Sequence, residues 1–317
     1  MVICCSIADC LQEHNWLYRT GDSLGSGSFG EVFVVDHKVD GSKYAVKMLK
    51  KTSEDVAETK VKEAELMCQL QHENICRYYN AWRASSGLVY IRMELCDIDL
   101  VTWLKRRNNL LFQNDDKSKP KPYDEILKDA WVLPERDWRN PSNVNVSNTT
   151  SSSQKTWFSG INARGTNEFL KGLLKGVDYL HVRHRLAHQD LHCKNVLLKF
   201  SAAQDAVTAK ICDFGLSSRK TVSPSNDDLY HEDLENVGKI MIRMYYPLKG
   251  DGVSDLLSQL QKSSRSHTDE LNADFSKMWP YQASWIRRLL IRDIEKPSAK
   301  EMLEEGDKNI KEFHSAK

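Results

Sequence analysis

Two rhythms of apolar residues divide this chain. From Trp16 onward the pattern is that of strands, and Val32–Asp36 and the run Tyr44-Ala45-Val46-Lys47 predict two of them. A helical stretch follows over Val56–Leu70. Thr52, Ser53 and Asp55 provide its start signal, and Glu63, Met67 and Leu70 fall at i, i+4 and i+7 on one face. Helical spacing returns over Thr166–His181, with Phe169, Leu173, Val177 and Leu180 in line. Beyond it, Val196–Phe200 and Thr208–Cys212 predict two short strands joined by a polar turn around Gln204 and Asp205.

The pattern breaks between these halves. Asn108–Gly160 is charged, rich in Asn and Pro, and ends Asn148-Thr149-Thr150-Ser151-Ser152-Ser153, a composition that cannot bury its own core and predicts a disordered insert. Within it Tyr123–Trp138 carries Ile126, Leu127, Trp131 and Leu133, enough apolar surface to dock elsewhere. The sequons at Asn145 and Asn148 are read as chance in a cytosolic chain.

Composition narrows the class. The 317 residues suffice for two modest lobes, and 45 basic against 44 acidic residues leave no bulk charge to steer the chain to nucleic acid or membrane. No apolar run approaches the roughly 18 residues of a transmembrane helix. Met1-Val2-Ile3-Cys4-Cys5 lacks the cationic region of a secretory signal. The eight cysteines show neither metal-ligand nor disulfide-framework spacing, so reduced thiols and a cytoplasmic location are expected.

The chemistry concentrates in residues 188–215. His188-Gln189-Asp190-Leu191-His192-Cys193-Lys194-Asn195 precedes the predicted strand pair and Asp213-Phe214-Gly215 follows it. The pair folds the oxygens of Asp190, Asn195 and Asp213 back towards one point, which suits magnesium and the phosphates it carries. Upstream, Leu24-Gly25-Ser26-Gly27-Ser28-Phe29-Gly30-Glu31-Val32 places glycines at 25, 27 and 30, where a hairpin can lie close over a nucleotide. A dinucleotide site uses the same letters but needs a helix at once, whereas strand continues here on both sides. Lys47 stands seventeen positions after Gly30, on the next strand.

This ordered set resembles the signature of the protein kinases. The segments Arg77-Tyr78-Tyr79-Asn80-Ala81-Trp82 and Tyr90-Ile91-Arg92-Met93-Glu94-Leu95-Cys96 are similar to kinases of the alpha subunit of translation initiation factor 2. Inserts at the place of Asn108–Gly160 also occur in those kinases. The resemblance implies an α+β, bilobal kinase-like fold, with a small antiparallel lobe over residues 16–96 and a hinge and mainly helical lobe over 97–306. Residues 1–15 and 307–317 would flank this domain, and Leu100–Leu104 would form a short helix after the hinge. It further implies that Leu24, Gly25, Gly27, Gly30 and Val32 cover the nucleotide, and that Ala45 and Leu197 sandwich the adenine with Val32. Met93 would be the gatekeeper, and Glu94 and Cys96 would offer backbone groups to the adenine ring. Glu58, Glu63 and Glu65 all compete for Lys47, and the register of the resemblance selects Glu63. Asn195 and Asp213 would bind magnesium, or manganese in its place, and Asp190 would take the proton of the acceptor hydroxyl. Met67, Tyr78, His188 and Phe214 would stack between the lobes.

The same register exposes departures. His192 stands where kinases carry a lysine beside the catalytic aspartate, and Lys194 is the neighbouring cation that could replace it. Gln189 stands for the arginine that reads a phosphorylated activation segment. Asp233-Leu234-Glu235-Asn236-Val237-Gly238 resembles the start of the buried helix of the larger lobe, only 20 positions after Asp213. No Ala-Pro-Glu occurs, and Glu295-Lys296-Pro297-Ser298 lacks the arginine that would pair with its glutamate, so both partners of that ion pair are missing together. The catalytic loop and short activation segment are also similar to the kinase-like domain of ribonuclease L, but the chain stops soon after the last helix of the resemblance, Pro297–Glu305. The function implied is transfer of the γ-phosphate of Mg-ATP to Ser/Thr hydroxyls of a protein substrate, in stress or translation control, by a chain that could pair through its small lobe. A nucleotide-binding scaffold and a small-molecule phosphotransferase are the alternatives.

Overall fold

The computed structural model describes residues 16–26, 30–49, 63–84, 87–105, 163–201, 206–219, 227–245, 280–291 and 296–306. The expected insert, the N-terminal extension and the C-terminal tail lie outside these residues, as do Gly27 and Glu58.

Five strands build the first layer: β1 (Trp16–Ser26), β2 (Gly30–His37), β3 (Lys43–Leu49), β4 (Tyr78–Arg83) and β5 (Val89–Glu94). They lie antiparallel in the order β1-β2-β3-β5-β4. Alternation gives this sheet two packed faces. Ala45, Leu49, Ile91 and Met93 join the main core, while Val35, Val46 and Tyr90 form a smaller cluster with Ala84 on the other side. The helix expected over Val56–Leu70 is described at residues 63–67 and unwinds into turns at Cys68 and Gln69.

Two short ladders follow. Strand β6 (Ile98–Asp99) pairs with β8 (Val196–Ser201), which pairs with β9 (Ala206–Ile211); β7 (Leu186–Ala187) pairs with β10 (Ser218–Arg219). The β8–β9 pair matches the predicted strands to within two residues. The expected short helix runs over residues 100–105, and Asp99 caps it by accepting hydrogen bonds from Thr102 N (2.9 Å) and Thr102 Oγ1 (2.6 Å).

Helix α1 (Ala163–Asp178) buries Phe169, Leu173 and Val177, then widens into a single π-type turn, Tyr179–Arg183, that buries Leu180. It lies so close to β9 that a Cβ on Gly176 would stand 2.8 Å from Ile211 Cδ1. Helix α2 (Asp227–Tyr245) begins six residues before the expected Asp233 and packs on α3 (Pro280–Leu290). The last helix, residues 299–306, starts from a reciprocal cap: Ser298 Oγ receives Glu301 N (3.2 Å), and Glu301 Oε2 receives Ser298 N (2.7 Å). Lys296, just before it, reaches Glu235 of α2 at 3.4 Å, and Lys239 holds the other oxygen of that carboxylate at 2.9 Å. An ion pair therefore does tie this end of the chain to the larger lobe, with α2 as its partner. No helix among the described residues is long and apolar enough to cross a membrane.

Candidate active site

Register sets the first half of the site. Val32 and Ile91 flank Lys47 on either side of β3, so its side chain points to the face that continues into the main core. Only 6 % of Lys47 is exposed, and its Nζ lies 2.7 Å from Glu63 Oε1 and 2.8 Å from Asp213 Oδ1. Burial alone would pull the ammonium pKa down; the Glu63 and Asp213 carboxylates reverse this and hold it above the ordinary lysine value. Of the competing glutamates, Glu63 is buried in the ion pair and Glu65 is exposed.

Asp213 reaches Lys47 through a left-handed backbone, φ 66°. That conformation costs a non-glycine residue about 1–2 kcal/mol. The Lys47 ion pair and the burial of the next residue offset it, since Phe214 is 1 % exposed and packs on the His188 ring at 5.1 Å. His188 and Met67 are also buried; Met67, Phe214 and Tyr78 belong to the main core cluster, and His188 joins it through its contact with Phe214.

The loop before β8 is fastened from below. Asp233 of α2 is 1 % exposed, and its carboxylate accepts His188 N (2.7 Å) and Gln189 N (2.9 Å) and meets His181 Nε2 at 2.8 Å. Gln189 takes a left-handed φ of 64°. From sequence alone Asp233 marks only a helix start, although the helix pattern carries a further signal. It shares the apolar stripe of Val237, Ile240 and Met241, and a carboxylate placed there must find buried donors.

Above this support Asp190 stays half-exposed. Asn195 Nδ2 donates to its carbonyl (2.9 Å) and to Oδ2 (3.0 Å), and His192 Nε2 lies 3.3 Å from Oδ1. Because the amide nitrogen of Asn195 is engaged, its amide oxygen is the atom available to a cation. Cys212 N donates to Asn195 O at 3.0 Å, which brings Asp213 alongside. The oxygen donors of Asn195 and Asp213 beside a buried lysine fit a hard divalent cation carrying a polyphosphate. Lys194, expected to supply charge near Asp190, is exposed, and His192 is the imidazole in contact with that carboxylate.

The residues expected to cover a nucleotide divide by burial. Gly30 pairs with Leu49, and a side chain there would run into the Met48 carbonyl oxygen, so only glycine permits this register. Gly25 pairs with Val32, and Leu24 is left 55 % exposed, an uncovered apolar surface at the hairpin. Ala45 and Met93 form a buried cross-strand pair, and Val32 and Leu197 pack partly buried on the same core. Glu94 N donates to Arg77 O at 2.8 Å, so Glu94 is tied to the residue before β4 as well as to β3, while Cys96 lies just beyond the strand. Gly27 lies outside the described residues.

The buried His188 gives the site a pH signature. Its Nε2–H donates to Cys212 O (3.0 Å) and its Nδ1 accepts Asp190 N (3.3 Å), the pattern of a neutral ring. Burial lowers its pKa against the opposing pull of Asp233. A depressed folded value means that the neutral ring's contribution is fully present above the unfolded pKa and is lost as pH falls through the folded one. Urea denaturation of the wild type should therefore show stability declining below about pH 6.5. A His188→Gln variant should decline less steeply over the same range.

Comparison with known proteins places this geometry in a family. The family model of the protein tyrosine and serine/threonine kinases matches residues 18–242. The mouse (Mus musculus) serine/threonine-protein kinase Nek4 is 38 % identical over 91 residues, 28 % of this chain and 12 % of that protein. The interferon-induced, double-stranded RNA-activated protein kinase of Rattus norvegicus is 26 % identical over 216 residues, 62 % of this chain and 31 % of that protein. A membrane-associated tyrosine- and threonine-specific cdc2-inhibitory kinase of Drosophila melanogaster is 30 % identical over 196 residues, 61 % and 26 % respectively. The chain thus spans no more than about a third of these relatives. With the family model covering well over half of its residues, and with Lys47, Glu63, Asp190, Asn195 and Asp213 gathered as described, the chain belongs to the protein kinase family.

Proposed function

We propose that this chain is an active protein kinase that transfers the γ-phosphoryl group of Mg-ATP to Ser/Thr hydroxyls of a protein substrate. The observation that carries the reading is Lys47 held between Glu63 at 2.7 Å and Asp213 at 2.8 Å, since phosphoryl transfer depends chiefly on positioned charge. Lys47 would orient the phosphates under the Gly25–Val32 hairpin. Asn195 and Asp213 would hold magnesium, which neutralises charge developing on the phosphate oxygens. Asp190, oriented by Asn195, would accept the proton of the attacking hydroxyl. His192, in contact with Asp190, stands where the displaced cation is needed. Incubation with radiolabelled ATP and a generic Ser/Thr protein substrate tests the reading: label should enter the substrate with wild type and not with Lys47→Ala.

Nucleotide binding has its own readout. Mg-ATP at 100-fold excess over its Kd should stabilise the wild type by about 2.7 kcal/mol, seen as a raised melting temperature. Lys47→Ala and Asp213→Ala should both shrink that shift.

The activation segment supports catalysis without phosphorylation. Gln189 Nε2 donates to Ser218 Oγ at 2.8 Å, and Ser217 Oγ donates to His188 O at 3.1 Å. Hydroxyls thus occupy the contact that an arginine and a phosphate would make, and Gln189 cannot form the bidentate phosphate pair. Autophosphorylation should survive phosphatase treatment and the replacement of Thr221, Ser223 and Ser225 by Ala. Ser218→Ala, which removes the acceptor for Gln189, should lower it. Activity that vanishes on dephosphorylation would refute this arrangement.

The nucleotide-binding scaffold remains the second reading, favoured by His192 in the lysine position and by the short segment before Asp233. Stress or translation control, and pairing of two chains through the small lobe, follow from the resemblance to initiation-factor kinases. Tyr79, 38 % exposed on edge strand β4 with the Arg92 guanidinium 5.2 Å from its ring centre, offers a surface of that kind. Sedimentation of wild type against Tyr79→Ala measures the pairing.

A further inference from the structure

Behind the hinge lies a side-chain cluster that phosphoryl transfer does not use. Cys76 precedes β4, Glu94 ends β5 and Cys96 follows it. Sequence spacing gave no hint of a metal site, because the two thiols are 20 positions apart. The β4–β5 pairing and the Glu94 N to Arg77 O hydrogen bond (2.8 Å) close that separation. The two sulfurs and a Glu94 carboxylate oxygen all lie within 4.8 Å of one another.

We propose that Cys76, Glu94 and Cys96 form a binding site for a thiophilic divalent cation of the zinc class. Tetrahedral zinc with sulfur at about 2.3 Å and carboxylate oxygen at about 2.0–2.2 Å needs neighbouring ligand atoms roughly 3.5–3.8 Å apart. Side-chain rotation covers the difference. A water or the second Glu94 oxygen completes four-coordination.

Two observations point to a cation rather than to a plain buried thiol pair. The carboxylate is already oriented: Glu94 Oε2 accepts Arg77 N at 3.2 Å and lies 2.9 Å from Lys210 Nζ. The charges also close. Loading releases both thiol protons to solvent, leaving two thiolates, one carboxylate and a divalent cation with a net charge of −1. The Lys210 ammonium cancels it, and Lys199 Nζ lies nearby on Leu95 O (2.7 Å), so the occupied site carries no uncompensated negative charge.

The test is a Co²⁺ titration of the reduced full chain under argon, with Cys4, Cys5 and Cys10 changed to Ser to silence residues outside the described structure. One equivalent of Co²⁺ should produce a thiolate-to-cobalt charge-transfer band that Zn²⁺ abolishes. Cys76→Ser and Cys96→Ser should each remove about half of the band or all of it. Lys210→Met should weaken Zn²⁺ binding by about 10–100-fold, as loss of an outer partner does. Cys68→Ser, at an exposed thiol, should change nothing. If a Ser variant loses its melting transition, Glu94→Gln, which keeps the side-chain volume, must weaken binding instead. Absence of a band, or a band of full strength in folded Cys96→Ser, would overturn the proposal.

Discussion

Asp190→Asn should lower phosphotransfer by about 10²–10⁴-fold while leaving the Mg-ATP melting shift intact. The isosteric amide can still receive Asn195 Nδ2 through its own oxygen, so the loop geometry that holds it at 3.0 Å persists. What disappears is the oxygen proposed to take the hydroxyl proton and the negative charge facing His192 at 3.3 Å. The loss corresponds to about 2.7–5.4 kcal/mol in the barrier. Initial rates with labelled ATP measure it, and thermal melting in parallel separates a catalytic defect from a folding defect. A variant as fast as wild type would remove Asp190 from the chemistry.

Asp233→Ala should cost about 3–5 kcal/mol of stability, the largest structural effect expected of a single side chain here. The change strands two buried backbone donors, His188 N and Gln189 N, and takes the carboxylate from the His181 imidazole. Each lost partner carries a desolvation penalty of about 1–3 kcal/mol. Activity should fall further than stability, since the loop that Asp233 fastens carries Asp190, and a misplacement of about 1 Å costs roughly 10²-fold. Urea denaturation and initial rates give the two numbers, and Asp233→Asn, which retains an acceptor, should recover part of both. Unchanged stability in Asp233→Ala would contradict the role assigned to this buried carboxylate.

These two residues also mark what could be read before the fold was known. Asp190 lies in a motif of fixed spacing, and so do Lys47, Asn195 and Asp213, because their chemistry depends on short loops and strand register that sequence distance encodes. The helix face of Phe169, Leu173 and Val177 was legible for the same reason: periodicity of about 3.6 is a local property. Glu63 needed the register of a family, since Glu58 and Glu65 lie on the same stretch of sequence, and it is packing that buries Glu63 and leaves Glu65 exposed. Asp233 joins the site across 44 residues from Gln189, a distance over which periodicity says nothing. Lys296 similarly finds Glu235 across 61 residues, and the sequence showed only that an expected arginine was missing. Cys76 and Cys96 meet because two strands pair, which a search for closely spaced ligands does not detect. His192 was legible as a substitution, but its contact with Asp190, in preference to Lys194, is set by the turn of the loop before β8.

Lys47, Asp190, Asn195 and Asp213 are proposed to form a working phosphotransfer centre that needs no phosphorylated activation segment. The most direct measurement treats purified wild type with phosphatase, removes the phosphatase, adds γ-labelled Mg-ATP and hydrolyses the labelled protein in acid. Labelled phosphoserine or phosphothreonine, at a rate at least about 10²-fold above that of Asp190→Asn, is the predicted result. Incorporation no faster than in Asp190→Asn would contradict it.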